Sequence, residues 1–398
     1  MQFTDEWSKF AVSELLNTYP TNSLSWDKLS YIEKSKIKNI HYGLIHNGFK
    51  STIISGNNQF IPFVNNSFIP KSYTLLQNGD LILADASEDR KDVGRPVEMM
   101  NVNNQKIISG LHTIHARNKT NLLINGFKGF YFQSYAMKKQ IYKVANGSKI
   151  YGISPSSFNE LFISVPNKEE QQKIVNLLQK IEGRIETQSK IIDDYISLLN
   201  SLRDHLIYTH NSKKATLSGY IDIYNGYTFK SKNYIKDGKY KVITISNVTG
   251  QRFVNLASIN TINKIPFDIQ NYQIIAKDSI LVSLTGNVGR TSICNVDNCL
   301  LNQRVALVKC KNIDSKYIYH ILSSTRFLRK MCLSSQGAAQ KNISTKDILD
   351  YMIPLHSNQE IKNITRLLEA VESKLDIEKN ILNFLYQQKT YLLKNMFI

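Results

Sequence analysis

Residues 167–206 read NKEEQQKIVNLLQKIEGRIETQSKIIDDYISLLNSLRDHL, and their apolar positions decide how the rest of the chain is arranged. Ile174, Leu178, Ile181, Ile185, Ile192, Tyr195, Leu199, Leu202 and Leu206 alternate steps of four and three, broken at Gln188. That is the spacing of a helix with one apolar seam. A second seam lies 190 residues further on in the same register: Ile364, Leu368, Val371, Leu375, Leu382, Leu385, Leu392 and Met396, interrupted by Glu378 and Lys389. Asn167 with Glu170, and Ser357 with Glu360, place a side-chain acceptor and a carboxylate where a helix start leaves amides unpaired. Upstream, Ile153, Ser154, Phe158 and Ile163 match Ile343, Ser344, Ile348 and Ile353 at the same offset. A constant offset over that length is an internal duplication.

The 398 residues are enough for two or three domains, and 42% hydrophobic content is ordinary for a soluble chain. No apolar run approaches the roughly 18 residues needed to cross a bilayer. Met1 to Phe10 carries Asp5 and Glu6 where a signal peptide would be basic and then apolar, so a cytoplasmic protein is expected. Cys294, Cys299, Cys310 and Cys332 form no C-x-x-C pair and are read as reduced core thiols.

The net charge of +18 is unevenly spread. Residues 168–206 hold six basic and seven acidic side chains, and residues 358–398 hold six and five, so both helices are close to neutral. Residues 1–167 carry 18 basic against 12 acidic, and residues 207–357 carry 20 against 8. Two basic bodies joined by neutral rods suggest a polyanion gripped at two places; general basicity for solubility is the plainer alternative.

These patterns predict an α+β chain. Globular bodies span 1–166 and 209–356, and long helices span 167–208 and 357–398. In the first body, short apolar runs (Gly79 to Leu83, Ile107 to Ile108, Leu122 to Ile124, Phe127 to Phe132) are separated by Asn, Gly and Pro, as in a strand-rich fold, with a helix around Trp26 to Ile37. The second body repeats the plan weakly: Asp80 resembles Asp278, and Gly94-Arg95 recurs as Gly289-Arg290. A seam about 50 Å long at 1.5 Å per residue exceeds the roughly 15 Å radius of gyration of such a body. An antiparallel helix pair lets the second body sit at one end; a parallel pair would force it along the whole rod. The expected architecture is therefore two heads joined by two antiparallel coiled-coil helices, with a pseudo-twofold internal repeat. The pairing residues are Ile174, Leu178, Ile181, Ile185, Ile192, Leu199 and Leu202 on one helix, and Ile364, Leu368, Val371, Leu375, Leu382 and Leu385 on the other.

Catalytic signatures are missing from the sequence. None of the 18 glycines forms G-x-G, no Gly-Lys-Ser/Thr exists for a phosphate loop, and no two prolines are adjacent, which excludes the Asn/Asp-Pro-Pro-aromatic loop of an amino-methyltransferase. The histidine pairs lack partners spaced to complete a metal site, and the run Asp85, Glu88, Asp89, Asp92 reads as a solvated loop. The positive signals belong to binding. The candidate DNA contacts are Arg90, Lys91, Arg95, Arg117 and Lys149 in the first body. In the second they are Lys230, Lys232, Arg252, Asn287, Arg290, Gln303, Arg304, Gln336, Gln340 and Lys341. Arg suits guanine, Asn and Gln suit adenine, and Lys suits phosphate.

The layout resembles the specificity subunit of type I restriction-modification systems. The match is carried by Gln336-Gly337-Ala338-Ala339-Gln340-Lys341-Asn342-Ile343 running into Ile348 to Pro354, and by Ile153 to Pro166 running into Glu170-Gln171-Gln172-Lys173-Ile174. Gly226-Tyr227-Thr228-Phe229-Lys230 also looks like the family's opening of a recognition domain, which the first body lacks near Phe10 to Leu16. The resemblance implies a non-catalytic subunit that binds a split, asymmetric site on double-stranded DNA, one half per target-recognition domain. It also implies two methyltransferase subunits as partners, with or without two restriction subunits, and S-adenosylmethionine, ATP and Mg on those partners rather than here. Two rivals remain: a DNA-modifying enzyme with unrecognised motifs, and a protein that bridges DNA without sequence choice.

Overall fold

Both seams lie on continuous helices in the computed structural model, Lys168–Tyr208 and Asn358–Asn395. Their starts follow the capping signals. Asn167 Oδ1 accepts from the Glu170 amide at 2.9 Å. Ser357 Oγ accepts from the Glu360 amide at 3.3 Å, while the Glu360 carboxylate accepts from the Ser357 amide at 2.7 Å. The structure describes residues 7–32, 35–208, 213–335 and 342–397. They form two units, Met1–Lys190 with Asn380–Ile398, and Ile191–Lys379, so each long helix contributes to both.

In the first unit a five-stranded sheet runs in the order Leu16–Tyr19, Thr113–Asn118, Leu81–Ala84, Pro96–Met100, Ile53–Ser55, antiparallel except for its last pair. A four-stranded sheet runs Lys106–Ser109, Ile37–Ile40, Phe63–Val64, Leu29–Ser30, with its first pair parallel. Leu81–Ala84 is buried along its whole length. Strand alternation sends Leu81 and Leu83 into a core with Phe127, Phe130, Phe158, Ile174, Leu178 and Met396. Ile82 and Ala84 face a second core with Ile40, Val97 and Ile107.

The second unit repeats the plan. Ile221–Asn225, Val305–Cys310, Ser279–Ser283 and Thr291–Cys294 form one sheet. Asn260–Ile262, Tyr240–Ile243, Cys299–Leu301 and Ile274–Ile275 form the other, again with a parallel pair between Tyr240–Ile243 and Cys299–Leu301. Each body is closed the same way. The strand entering it pairs antiparallel with the strand that precedes the helix: Ser8–Ala11 with Phe162–Val165, and Lys214–Thr216 with Met352–Pro354.

The helix contacts can be followed inside each unit. In the first, Ile181 and Ile185 cluster with Leu385, Leu382 and Leu392, so the opening turns of one helix lie against the closing turns of the other. Ile174 and Leu178 turn instead into the core of the body. In the second unit Ile192, Leu199, Ile364, Leu368 and Leu375 are buried, and Leu202 and Val371 are half-buried.

Two sequence expectations are corrected. The helix expected around Trp26 to Ile37 is a single 3₁₀ turn, Trp26–Lys28, followed by Leu29–Ser30, which pairs with Phe63 and Val64. The apolar run from Phe127 is not a strand but the helix Phe127–Gln133. All of Phe127 to Phe132 is buried, which erases the polar stripe that would mark a helix. Its start is capped from a distance, because the Glu98 carboxylate accepts from the Gly126 and Gly129 amides at 2.7 Å each and from Lys128 Nζ at 3.0 Å.

Candidate nucleic-acid interface

Three loops of the second body are stitched together along one edge. Strand Ile221–Asn225 runs into Gly226-Tyr227-Thr228, where the Tyr227 amide donates to Leu301 O at 2.7 Å and the Gln303 amide donates to Tyr227 O at 2.9 Å. Thr228 Oγ1 donates to Gln303 Oε1 at 2.6 Å. Gly226 allows this approach, since a Cβ there would lie 2.2 Å from Asn302 O. The third loop joins through the Leu284 amide, which donates to Arg304 O at 2.9 Å, and through the Ile343 amide, which donates to Leu284 O at 2.9 Å. Exposed Lys230, Asn287, Gln303 and Arg304 are thereby gathered from stretches far apart in sequence. Lys230 and exposed Lys232 also line a cleft of about 640 Å³ with Lys264 and the fully exposed Phe267. Gln336, Gln340 and Lys341 lie outside the described residues; Asn342 bridges to Thr285.

In the first body the ladder between Ala86–Ser87 and Tyr151–Gly152 brings the segment of Arg90 and Lys91 beside that of Lys149. All three side chains are exposed. Arg90 lies over the Tyr151 ring at 5.7 Å and donates to Tyr142 O at 2.7 Å. A neighbouring cleft of about 490 Å³ is lined by Trp26, Tyr42, His46 and His112. Sequence reasoning missed it, because its aromatic residues come from separate loops. His112, one of its lining residues, sits in the left-handed region at φ 52°.

The Gly-Arg pairs occupy matching places in the two bodies. Gly94 and Gly289 both have φ 73°, and each amide donates at 2.9 Å to the sheet strand it follows, at Ala84 O and Ser283 O. The arginines then each tie down a loop carbonyl: Arg95 donates to His46 O at 2.7 Å and Arg290 to Thr249 O at 3.0 Å. Arg290 remains exposed and Arg95 is half-buried.

Arg117 and Arg252 are committed inside the protein. Arg117 grips buried Asp80 with two bonds of 2.8 Å and lies over the Tyr19 ring at 4.8 Å. His115 Nε2 adds a third contact to Asp80 at 2.8 Å. Burial pushes the Asp80 carboxyl up, but Arg117 and His115 outweigh it and hold the group below the usual carboxylate range. Arg252 reaches Glu369 at 2.9 Å, Asp376 at 3.0 Å and Glu372 at 3.8 Å, fastening its body to the second long helix within the unit. Both guanidiniums are therefore engaged by carboxylates of the chain itself. Asp278, the sequence counterpart of Asp80, is exposed with φ 66° and has a different role.

Among the described residues, His320, Glu369 and Glu372 are the one grouping of potential metal ligands. Side-chain cations already fill their surroundings. Arg203 donates to Glu372 at 2.9 Å and to His320 Nδ1 at 3.2 Å, and Lys316 meets Glu369 at 3.2 Å. No described helix is long and apolar enough to cross a membrane.

The type I restriction modification DNA specificity domain matches this chain twice, over residues 4–194 and 210–387, and the chain belongs to that family. The two matches fall on the two halves of the duplication. Among individual proteins, the chain is 24% identical over 281 residues to the type I restriction enzyme MjaVIII specificity subunit of Methanocaldococcus jannaschii. That match covers 63% of this chain and 64% of the relative, so just under two thirds of the relative's length is spanned. The fold is shared with the S subunit of a type I restriction-modification system from M. genitalium at TM-score 0.55 and 16% identity, covering 100% of this chain and 98% of that one. A chain from a structure of complex assembly and conformational transition in the type I R-M system matches at TM-score 0.59 and 13% identity, over 99% and 98%.

Proposed function

We propose that this chain is the DNA-specificity subunit of a type I restriction-modification complex, binding a bipartite, asymmetric duplex target with one half read by each body. The observation that carries this reading is one sheet architecture built twice, with different polar residues on the loops. A scaffold repeated with its loops changed is what two independent readers of two half-sites require. In this reading residues 1–166 and 209–356 are the target-recognition domains. Residues 167–208 and 357–398 are matching helices that pair as an antiparallel coiled coil about a pseudo-twofold axis. The DNA contacts are Lys230, Lys232, Asn287, Arg290, Gln303 and Arg304 in one domain and Arg90, Lys91, Arg95 and Lys149 in the other, with Gln336, Gln340 and Lys341 adding to the first group. The chain is non-catalytic and works in the cytoplasm. Two methyltransferase subunits bring S-adenosylmethionine, and restriction subunits, where present, bring ATP and Mg chemistry.

Exchange of residues 207–342 for the corresponding segment of another system tests this directly. Long-read mapping of methylated positions should show one half-site changed and the other kept. Changes in both halves would defeat the idea of independent readers. Footprints with no preference between two fixed patches and their scrambled versions at matched salt would favour sequence-blind bridging instead.

A further inference from the structure

Lys50, Arg95, Lys138 and Lys394 line a cleft of about 400 Å³ in the first unit, together with Tyr135 and Tyr386. It lies where the helix Tyr135–Val144 and the last turns of the second long helix come together. Lys389 also lines it, but its ammonium is spent on Glu182 at 2.6 Å. Among the described residues no carboxylate lines the cleft, and none forms an ion pair with the other four cations. Arg95 is held in place by two backbone carbonyls, His46 O and Phe49 O, and Lys394 by the Tyr135 ring at 5.9 Å. Lys138 is half-buried. Burial, joined by the fields of Arg95 and Lys389, pulls its ammonium below the usual lysine range; Asp92 pulls the other way without forming an ion pair.

The second unit treats its cations differently. Beside the same helix, Arg203, Arg252 and Lys316 each meet a carboxylate of Glu369, Glu372 or Asp376. Like charges gathered in a partly dry cleft repel one another, so leaving them unneutralised costs stability unless an anion enters. Two half-exposed tyrosines at the rim offer hydroxyl donors to the same visitor.

We propose that this cleft binds a phosphate oxyanion. Under the function proposed above its source is the DNA backbone, held by a contact that fixes position without reading sequence. A free polyphosphate presents the same chemistry, and the experiment separates the two.

The test uses the full chain, with Lys138→Gln combined with Lys394→Gln. Duplex affinity is measured across a salt series, and tripolyphosphate binding is measured by calorimetry without DNA. For a backbone phosphate, the slope of log K against log salt becomes shallower by about 0.9 for each phosphate no longer neutralised, while the ranking of DNA sequences stays as it was. Tripolyphosphate heat that disappears in the variant while the DNA slope is unchanged assigns the cleft to a free phosphate compound. Lys138→Gln alone should hold or raise the anion-free Tm, because it relieves repulsion. A lower Tm with unchanged slope and no tripolyphosphate heat in wild type would make Lys138 a structural residue and overturn the proposal. So would loss of methyltransferase-subunit association alone, which points to an acidic protein surface. Should the wild type show no sequence preference at all, the functional reading fails while the tripolyphosphate titration still decides the cleft.

Discussion

Lys389 Nζ lies 2.6 Å from Glu182 Oε1, and both side chains are nearly buried. Lys389 interrupts an apolar seam, and Glu182 lies off the seam on the other helix. Glu182 also accepts from the Thr52 amide at 2.9 Å and from Thr52 Oγ1 at 2.6 Å, so one carboxylate ties two helices and a body together. The residue 190 positions later, Glu372, does the same in its own unit, accepting from Arg203 at 2.9 Å and from the Tyr319 hydroxyl at 2.8 Å. The duplication therefore preserved a buried polar anchor as well as an apolar stripe.

Glu182→Ala should cost about 3 kcal/mol of stability, because it leaves a nearly buried ammonium and the Thr52 amide without an acceptor, while Thr52 Oγ1 keeps Gln133 Oε1 at 3.0 Å. Lys389→Met should cost less, since Thr52 still satisfies the carboxylate. Urea unfolding checks the order; a loss under about 0.5 kcal/mol for Glu182→Ala, the size of a surface change, would mean the anchor is not formed.

Acid should loosen the second unit through Glu369. Burial raises its carboxyl, but the His320 ring 3.3 Å away and the charges of Arg252 and Lys316 prevail and lower it from 4.5 to about 2. A carboxyl depressed in the folded state contributes stability above its unfolded pKa and loses it as pH falls through the folded one. The contribution is thus complete above pH 4.5 and fades toward about 2. Glu369→Gln should flatten the Tm-against-pH curve in that window; an unaltered curve would remove Glu369 as its source.

Truncating seam residues should separate the buried stripe from the solvent face. Leu178→Ala and Leu368→Ala, both at fully buried positions, should each cost about 2–5 kcal/mol. Leu198→Ala, at a position 45% exposed, should stay within about 0.5 kcal/mol. Equal effects at all three would mean that the helices bury a different face.

Arg304→Ala and Arg252→Ala should part cleanly. The exposed Arg304 side chain should lose about 1–3 kcal/mol of duplex affinity with little change in Tm. Arg252→Ala removes one cation from each of three carboxylates, leaving Glu372 to Arg203 and Glu369 to Lys316, and should lower Tm first. Paired binding and melting curves measure both, and a stability loss at Arg304 would withdraw it from the interface.

The long helices, their caps and the duplication were legible because they are local: a period near 3.6 and a fixed offset need no knowledge of what lies across the fold. The helix at Phe127–Gln133 was not legible, because burial on every side leaves no polar face to mark the period. The arginines divide for the same reason. Composition shows that a guanidinium is present, whereas Arg117 and Arg252 were spent by Asp80 and by the Glu369, Glu372 and Asp376 group, which approach only once the chain has folded.

By itself, then, the sequence determined that there are two related bodies and two matching helices, since repetition and periodicity are properties of order along the chain. Tertiary structure alone decided which cations are neutralised and which stand open, because charge pairing depends on distance through space. It turned Arg252 into a fastener and left Lys50, Arg95, Lys138 and Lys394 around a cleft without a counter-charge.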